Sequence, residues 1–303
     1  MAREHELTPP GRPGPTPEQI RRRRLLALGG IVVVVVLVVT AVALAVPHLH
    51  RKAAAPPPPP PPPPKPFRVI FPEGFTRAQM IDRVSAVAKI AERKRNRPVR
   101  LSGLKYARAS RSGIVSCFVP RRRPNLEGFL FPATYEFLAN TTSSRLVADQ
   151  LQTFCEQWRT VDLRYARSKN LTPYDVLTIA SMVERETIAP SERPLVAAVI
   201  YNRLHARMPL GIDATLRYGL HIPPTQSILE SQLQSDNPYN TRKLTGLPPT
   251  PIANPGLASI RAAAHPAKVD YLYFVRKPDK VHHFFTASDT AFAQYECAHG
   301  YGC

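Results

Sequence analysis

Between Leu25 and Pro47 the chain carries no charged residue, and from Ile31 to Val39 it is almost entirely valine. Those twenty-three residues would span about 35 Å as a helix, enough for a hydrocarbon core of roughly 30 Å. Ala43-Leu44-Ala45 resembles a signal-peptide cleavage site, but the apolar run is longer than the usual ~7–15 residue signal core. A retained membrane anchor is therefore the expectation. Arg21 to Arg24 stand directly before the run, while only Arg51 and Lys52 follow it closely. The heavier positive flank stays inside, so the sequence predicts a single-pass type II protein of the cell membrane, with a cytoplasmic N-terminus and an exported remainder.

Residues 1–24 are rich in proline and charge and lack an apolar period, as a disordered cytoplasmic tail does. The anchor occupies residues 25–47 and a proline-rich linker residues 48–66. Its nine consecutive prolines, Pro56 to Pro64, predict an extended polyproline spacer of roughly 28 Å. About 235 residues remain, enough for one sizeable core or for a small domain docked on a larger one. The four cysteines, Cys117, Cys155, Cys297 and Cys303, would lie in an oxidising compartment. Three pairings are open to them, and four free thiols are a further alternative. Cys297 with Cys303, and Cys117 with Cys155, is the pairing we test. No ligand-spaced His/Cys cluster suggests a metal, and no cofactor is expected.

The formal net charge is +19, which points to nucleic acid or to an anionic envelope polymer. A membrane anchor, and the lack of a basic recognition helix or basic–aromatic strand motif, argue against nucleic acid.

In the exported part, Phe67–Phe71 alternates as a short strand. Thr76 caps a helix from Arg77 to about Arg93. Residues 67–125 thus read as a small α/β module with a basic connector, and 126–303 as a second domain. The aromatic segment Leu126–Phe137 suits a core strand and turn, or a groove wall. A helix follows from Ser144 to about Arg159. The next has a sharp start, with Thr172 at the N-cap, Pro173 first and Asp175 third. Val176, Ile179, Met182 and Val183 form its apolar stripe, with Thr178, Ser181 and Arg185 opposite. Near its end, Glu184 and Glu186 project about 160° apart, so they are not a paired dyad on one face.

A further helix runs from Glu192 to about Arg207. Residues 213–256 carry turn residues, amides, hydroxyls and tyrosines, the composition of binding loops. Asp213, Tyr218, Tyr239, Asn240, Thr241 and Asn254 lie there. Leu257–His265 reads as a helix, and Val269–Val275 and Val281–Thr286 as a hairpin. His282 and His283 point to opposite faces of the second strand, a poor joint metal site.

Several segments together resemble the endolytic murein transglycosylase family, the YceG-like bacterial membrane proteins, in an actinobacterial form. They include Phe71-Pro-Glu-Gly74, Leu126-Glu-Gly-Phe-Leu-Phe-Pro-Ala-Thr-Tyr135 and Ala180-Ser-Met-Val-Glu-Arg-Glu-Thr187. Val199-Ile-Tyr-Asn-Arg-Leu204, Met208-Pro-Leu-Gly-Ile-Asp-Ala-Thr215, Pro238-Tyr-Asn-Thr241, Gly246-Leu-Pro-Pro249 and Asn254-Pro-Gly256 follow in family order.

The resemblance implies an α+β fold with a YceG-like catalytic domain and a lysozyme-like helical active-site region. It implies lytic cleavage of the MurNAc-β-1,4-GlcNAc bond in nascent peptidoglycan glycan strands, leaving 1,6-anhydro ends. Such cleavage would end glycan elongation, with peptidoglycan synthases and elongation or division machinery as partners. The carboxylate before threonine, Glu186, is the implied catalytic acid and base. Glu184, Asp213, Tyr218, Tyr239, Asn240, Thr241, Asn254 and His283 are implied as supporting or substrate-binding residues. The chain departs from the family at Gly211, Ile212, Arg242 and Thr250, where Gln, a small hydroxyl residue, an aromatic and glycine are usual. These departures, the spacer and the basic patches suit an alternative, a non-catalytic glycan-binding scaffold of the envelope.

Overall fold

A computed structural model describes residues 16–49, 65–119 and 122–301. The proline run, the first fifteen residues and Cys303 lie outside them. The chain divides into two units, residues 1–63 and 64–303.

Among its described residues the first unit holds one helix, α1 (Pro17–Leu49). Its stretch Pro17–Ala45 is long and apolar enough to cross a membrane. The helix starts earlier than the expected Leu25, so Arg21–Arg24 belong to it and not to a tail. Pro17 occupies the first helical position, and the Thr16 N–H donates to the Gln19 side chain at 3.2 Å. Proline is preorganised there, and arginine is a good helix former.

The second unit is α+β. Its first half contains β1 (Phe67–Ile70), α2 (Arg77–Arg95), α3 (Gly103–Ala109), β2 (Gly113–Ile114), β3 (Arg122–Arg123), β4 (Thr134–Phe137) and α4 (Ser143–Trp158). The second half contains α5 (Arg164–Ser168), α6 (Pro173–Glu186), a 3-10 turn at Pro190–Glu192, α7 (Arg193–His205), α8 (Asp213–Leu220), α9 (Glu230–Leu233), α10 (Leu257–Ala264), β5 (Tyr273–Arg276), β6 (His283–Thr286) and α11 (Asp289–Ala298). The strands form three antiparallel pairs, β1 with β4, β2 with β3 and β5 with β6.

Residues on both sides of position 125 build one core. Val69 of β1 faces Tyr135 of β4 in register. Met80, Val84, Tyr106, Phe129, Phe154, Ile179 and Met182 are all buried in the same cluster. The basic connector is also more ordered than its composition suggests: α3 packs between α2 and α4. At seven residues it is too short to show a helical period. A disulfide joins Cys117 to Cys155 on α4, which ties this connector down. There are no free cysteines among the described residues.

Local signals place the helix ends. Thr76 and Gln79 form a capping box at α2, and Thr172 and Asp175 form one at α6. Each satisfies N–H groups that the first helical turn leaves open. Opposite the apolar stripe of α6 the small polar residues are buried as well: Thr178 and Ser181 are inaccessible, while Arg185 is exposed. Their hydroxyls donate to helix carbonyls of Tyr174 and Thr178, and Ser181 also accepts the Ile252 N–H at 3.0 Å. Small hydroxyl residues can be buried because the helix backbone takes their protons.

Candidate active site

The end of α6 is gripped from two sides. On one side Glu184 Oε2 accepts the Gly256 N–H at 3.0 Å and the Ser259 hydroxyl at 2.7 Å. Gly256 is the N-cap of α10, so this carboxylate supplies the cap that the glycine lacks. Glu184 is thereby spent on holding α10 against α6.

On the other side Glu186, half-buried, meets the first turn of α8. Burial pushes its carboxyl above the usual carboxylate range. Arg276 opposes that shift and Asp213 adds to it. The Arg185 charge and the facing Ala214 N–H also favour the ionised form. Asp213 is itself paired with Arg242. Arg276, the last residue of β5, donates to the Glu186 carbonyl at 3.0 Å. The Thr187 hydroxyl closes the helix by donating to Val183 O at 2.7 Å. The result is a desolvated carboxyl that holds its proton well but keeps a cation beside it.

A more deeply buried carboxyl meets the other end of α8. Glu127 is only 3% exposed. It accepts the Arg77 N–H at 2.9 Å, the Asn254 amide at 2.9 Å and the Tyr218 hydroxyl at 3.1 Å. Burial raises its pKa to about 7, against the lowering effect of those donors. Sequence reasoning did not single it out. The available signal was a lone acid within the apolar run Leu126–Phe131.

Glu127, Tyr218 and Tyr239 line a cleft of about 490 Å³, together with Arg77, Arg217 and Ala214. Glu186 is not in its wall, but Arg185 and Ala214 are. The Tyr218 and Tyr239 rings lie 5.2 Å apart. Gly219 permits this approach, because a Cβ there would meet Tyr239 Cβ at 2.7 Å. Tyr239 also reaches Thr250, with 2.8 Å between the hydroxyl oxygens. The Thr250 hydroxyl in turn donates to Pro251 O. Two departures from the family pattern, Thr250 and Arg242, thus hold Tyr239 and Asp213 respectively.

The other expected site residues are engaged by protein. Asn254 is inaccessible. Its Oδ1 accepts the Gly128 and Leu130 N–H groups, and its amide donates to Phe75 O and Glu127, all at 2.9 Å. Gly128 has φ +89°, and a Cβ there would press on Pro251 at 2.7 Å, so only glycine brings these loops together. Asn240 donates to Leu233 O and Ser235 O. Thr241 accepts the Ile212 N–H, and its hydroxyl lies 2.8 Å from that of Thr215 on α8. His283 is buried, with Nδ1 2.7 Å from Glu192. Among the described residues no group of acidic, His and Cys side chains could hold a metal ion.

The YceG-like family matches residues 49–296. An endolytic murein transglycosylase of Bacillus subtilis (strain 168) is 40% identical over 158 residues, 50% of this chain and 42% of that protein. One from Streptococcus pneumoniae (strain ATCC BAA-255 / R6) is 35% identical over 198 residues, 63% of this chain and 32% of that protein. The matched stretch thus spans less than half the length of either relative. A 2.6 Å crystal structure of a putative yceG-like protein from Listeria monocytogenes superposes with a TM-score of 0.62 at 26% identity, covering 75% of each chain. With most of its length matched, the chain belongs to the YceG-like family.

Proposed function

We propose that this protein is a membrane-anchored lytic endotransglycosylase that cuts the MurNAc-β-1,4-GlcNAc bond within peptidoglycan glycan strands. The observation that carries this reading is Glu186, a carboxyl whose affinity for its proton is raised by burial, set at a helix end beside a cleft. Protonated Glu186 gives its proton to the glycosidic oxygen as the bond from the muramoyl C1 breaks. The resulting carboxylate takes the proton of the same sugar's C6 hydroxyl as O6 closes on C1. One carboxyl serves both steps and returns to its starting state, and no water is consumed. Ala214 N–H and Arg276 steady the ionised form between the two steps.

The rest of the reading follows from location. The α1 helix would hold the enzyme at the membrane with its N-terminus inside. The excess of positive charge suits an anionic wall. Similarity to relatives named endolytic murein transglycosylases supports the substrate class. The test is mass spectrometry of glycan treated with the purified chain. New 1,6-anhydromuramoyl ends support the proposal. Reducing ends would make the protein a hydrolase, and intact glycan would leave the scaffold alternative.

A further inference from the structure

The positive charge of the chain is unevenly placed. Residues 65–123 carry sixteen arginines and lysines against three acids. Four of these cations gather where α2, α3 and α4 meet. Arg97 and Arg100 line one depression. Arg100, Lys105 and Arg108 line the next, of about 690 Å³, together with Thr142, Ser143 and Ser144 at the start of α4. No carboxylate lines either depression. Among the described residues the four cationic side chains make no hydrogen bond and no ion pair. Glu92, Glu136 and Asp149 on the flanking elements are engaged elsewhere, with the Val99 N–H, Arg68 and Arg145. The helix starts add to the same sign. The Ser143 hydroxyl donates to Ser102 O at 2.9 Å and accepts the Ser102 N–H at 3.0 Å, which brings the starts of α3 and α4 together. The first turn of α4 holds no acid, so the positive end of its dipole is uncompensated. Like charges so gathered repel one another, and an anion from outside would relieve them.

The face is not only cationic. Leu104 is 65% exposed and stands on α3 beside Lys105, one turn before Arg108. Residues four apart on a helix share a face. Cations around a protruding leucine match the boundary between phosphate headgroups and acyl chains, whereas a soluble polyanion would leave the leucine in water. Chain order supplies such a boundary. The stretch able to cross a membrane ends at Ala45, and Arg95, at the end of α2, lies over the Phe67 ring at 4.4 Å. Phe67 follows Ala45 by twenty-two residues, a reach of at most about 80 Å. A tether of that length keeps this face at high effective concentration beside a bilayer. We propose that the Arg97–Arg108 face docks on the membrane surface by binding the phosphate groups of anionic phospholipid. This rests on the anchored half of the functional reading and is independent of Glu186.

The test places the full chain in lipid discs of phosphatidylcholine alone or of an equal mixture with phosphatidylglycerol. Amine acylation read by mass spectrometry reports on Lys105, with Lys268, also exposed, as the internal reference. In the anionic discs Lys105 should react about tenfold more slowly, and Lys268 should change less than about twofold. Arg100→Gln with Arg108→Gln should weaken docking about thirtyfold, for two cations lost near the surface, and restore Lys105 labelling. Their melting temperature should not move, because neither side chain holds a protein partner. Leu104→Ser should weaken docking on the anionic discs, yet leave any protection of Lys105 by added polyphosphate unchanged. Equal labelling of Lys105 in the two discs would overturn the proposal. Equal slowing at Lys268 would mark the general attraction of a basic protein and would overturn it too. Protection by polyphosphate as strong as by lipid, with no loss in Leu104→Ser, would assign the face to soluble polyanions instead. A chain that leaves the discs would remove the anchor and the proposal with it. Docking by a protein that forms no anhydro ends would sustain the proposal and count only against the enzymatic reading.

Discussion

Glu184 and Glu186 stand two residues apart on the same helix, yet each faces a different region of the molecule and does a different job. The α10 side offers Glu184 an open helix N-terminus and a serine hydroxyl, and the carboxylate is consumed in satisfying them. The α8 side offers Glu186 burial, one backbone N–H and flanking charges of both signs. The first environment makes a brace; the second strengthens the carboxyl's hold on its proton, which is what the proposed acid needs. The difference does not lie in the side chain but in which element packs against each flank of α6.

The strongest way to break this comparison is to exchange the roles. Glu186→Gln should lower formation of anhydro ends by about 10³-fold while the protein stays folded; undiminished product would transfer the chemistry elsewhere. In the wild type, kcat should fall as pH rises through the raised Glu186 pKa, because only the protonated form can donate. A profile that shows no loss of kcat on its alkaline side would count against an acid at this position.

Asn254→Ala tests the knot behind both flanks. It strips partners from two buried N–H groups, a carbonyl and Glu127, and should destabilise the fold by about 4 kcal/mol in denaturant titration. A loss of cleavage without loss of stability would instead place Asn254 on the substrate.

Glu127 sharpens the contrast through pH. Its folded pKa is about 7 against an ordinary 4.5. A raised carboxyl adds stability that is fully present below the unfolded value and is lost as pH rises through the folded one. The gap corresponds to about 3 kcal/mol, lost between about pH 4.5 and pH 7. Unfolding free energies measured across that window should show this slope in the wild type and not in Glu127→Gln. The smallest effect belongs to the brace. Glu184→Gln should reduce stability by about 1–2 kcal/mol through a weakened cap on α10, and lower kcat less than Glu186→Gln does.

Much of the frame was legible before any coordinates. The starts of α2 and α6 follow from Thr76 and from the Thr172, Pro173 and Asp175 cluster, because capping is local chemistry within four residues. The divergence of Glu184 and Glu186 follows from helical geometry alone. By contrast, α8 was hidden in a stretch that reads as loop. It is short, contains Gly219 and is bordered by turn residues, so neither length nor period betrays it. α11 is missed for a related reason: none of its residues is fully buried, and its inward side is little more than Phe292 stacked on Tyr273 and Tyr295 stacked on Phe284, too short a stripe to read as a period.

What the sequence by itself determined is therefore the long apolar helix, the family and the helix that carries Glu186. These depend on composition, order and contacts a few residues apart. What only the tertiary structure decided is the division of labour among the polar residues. Asn254, Asn240 and Thr241 hold backbone and not open space, and Glu127 is buried beside Tyr218, a residue 91 positions away in the chain. Burial and desolvation arise where distant segments meet, and they set both the proton affinity of a carboxyl and the partners left to an amide.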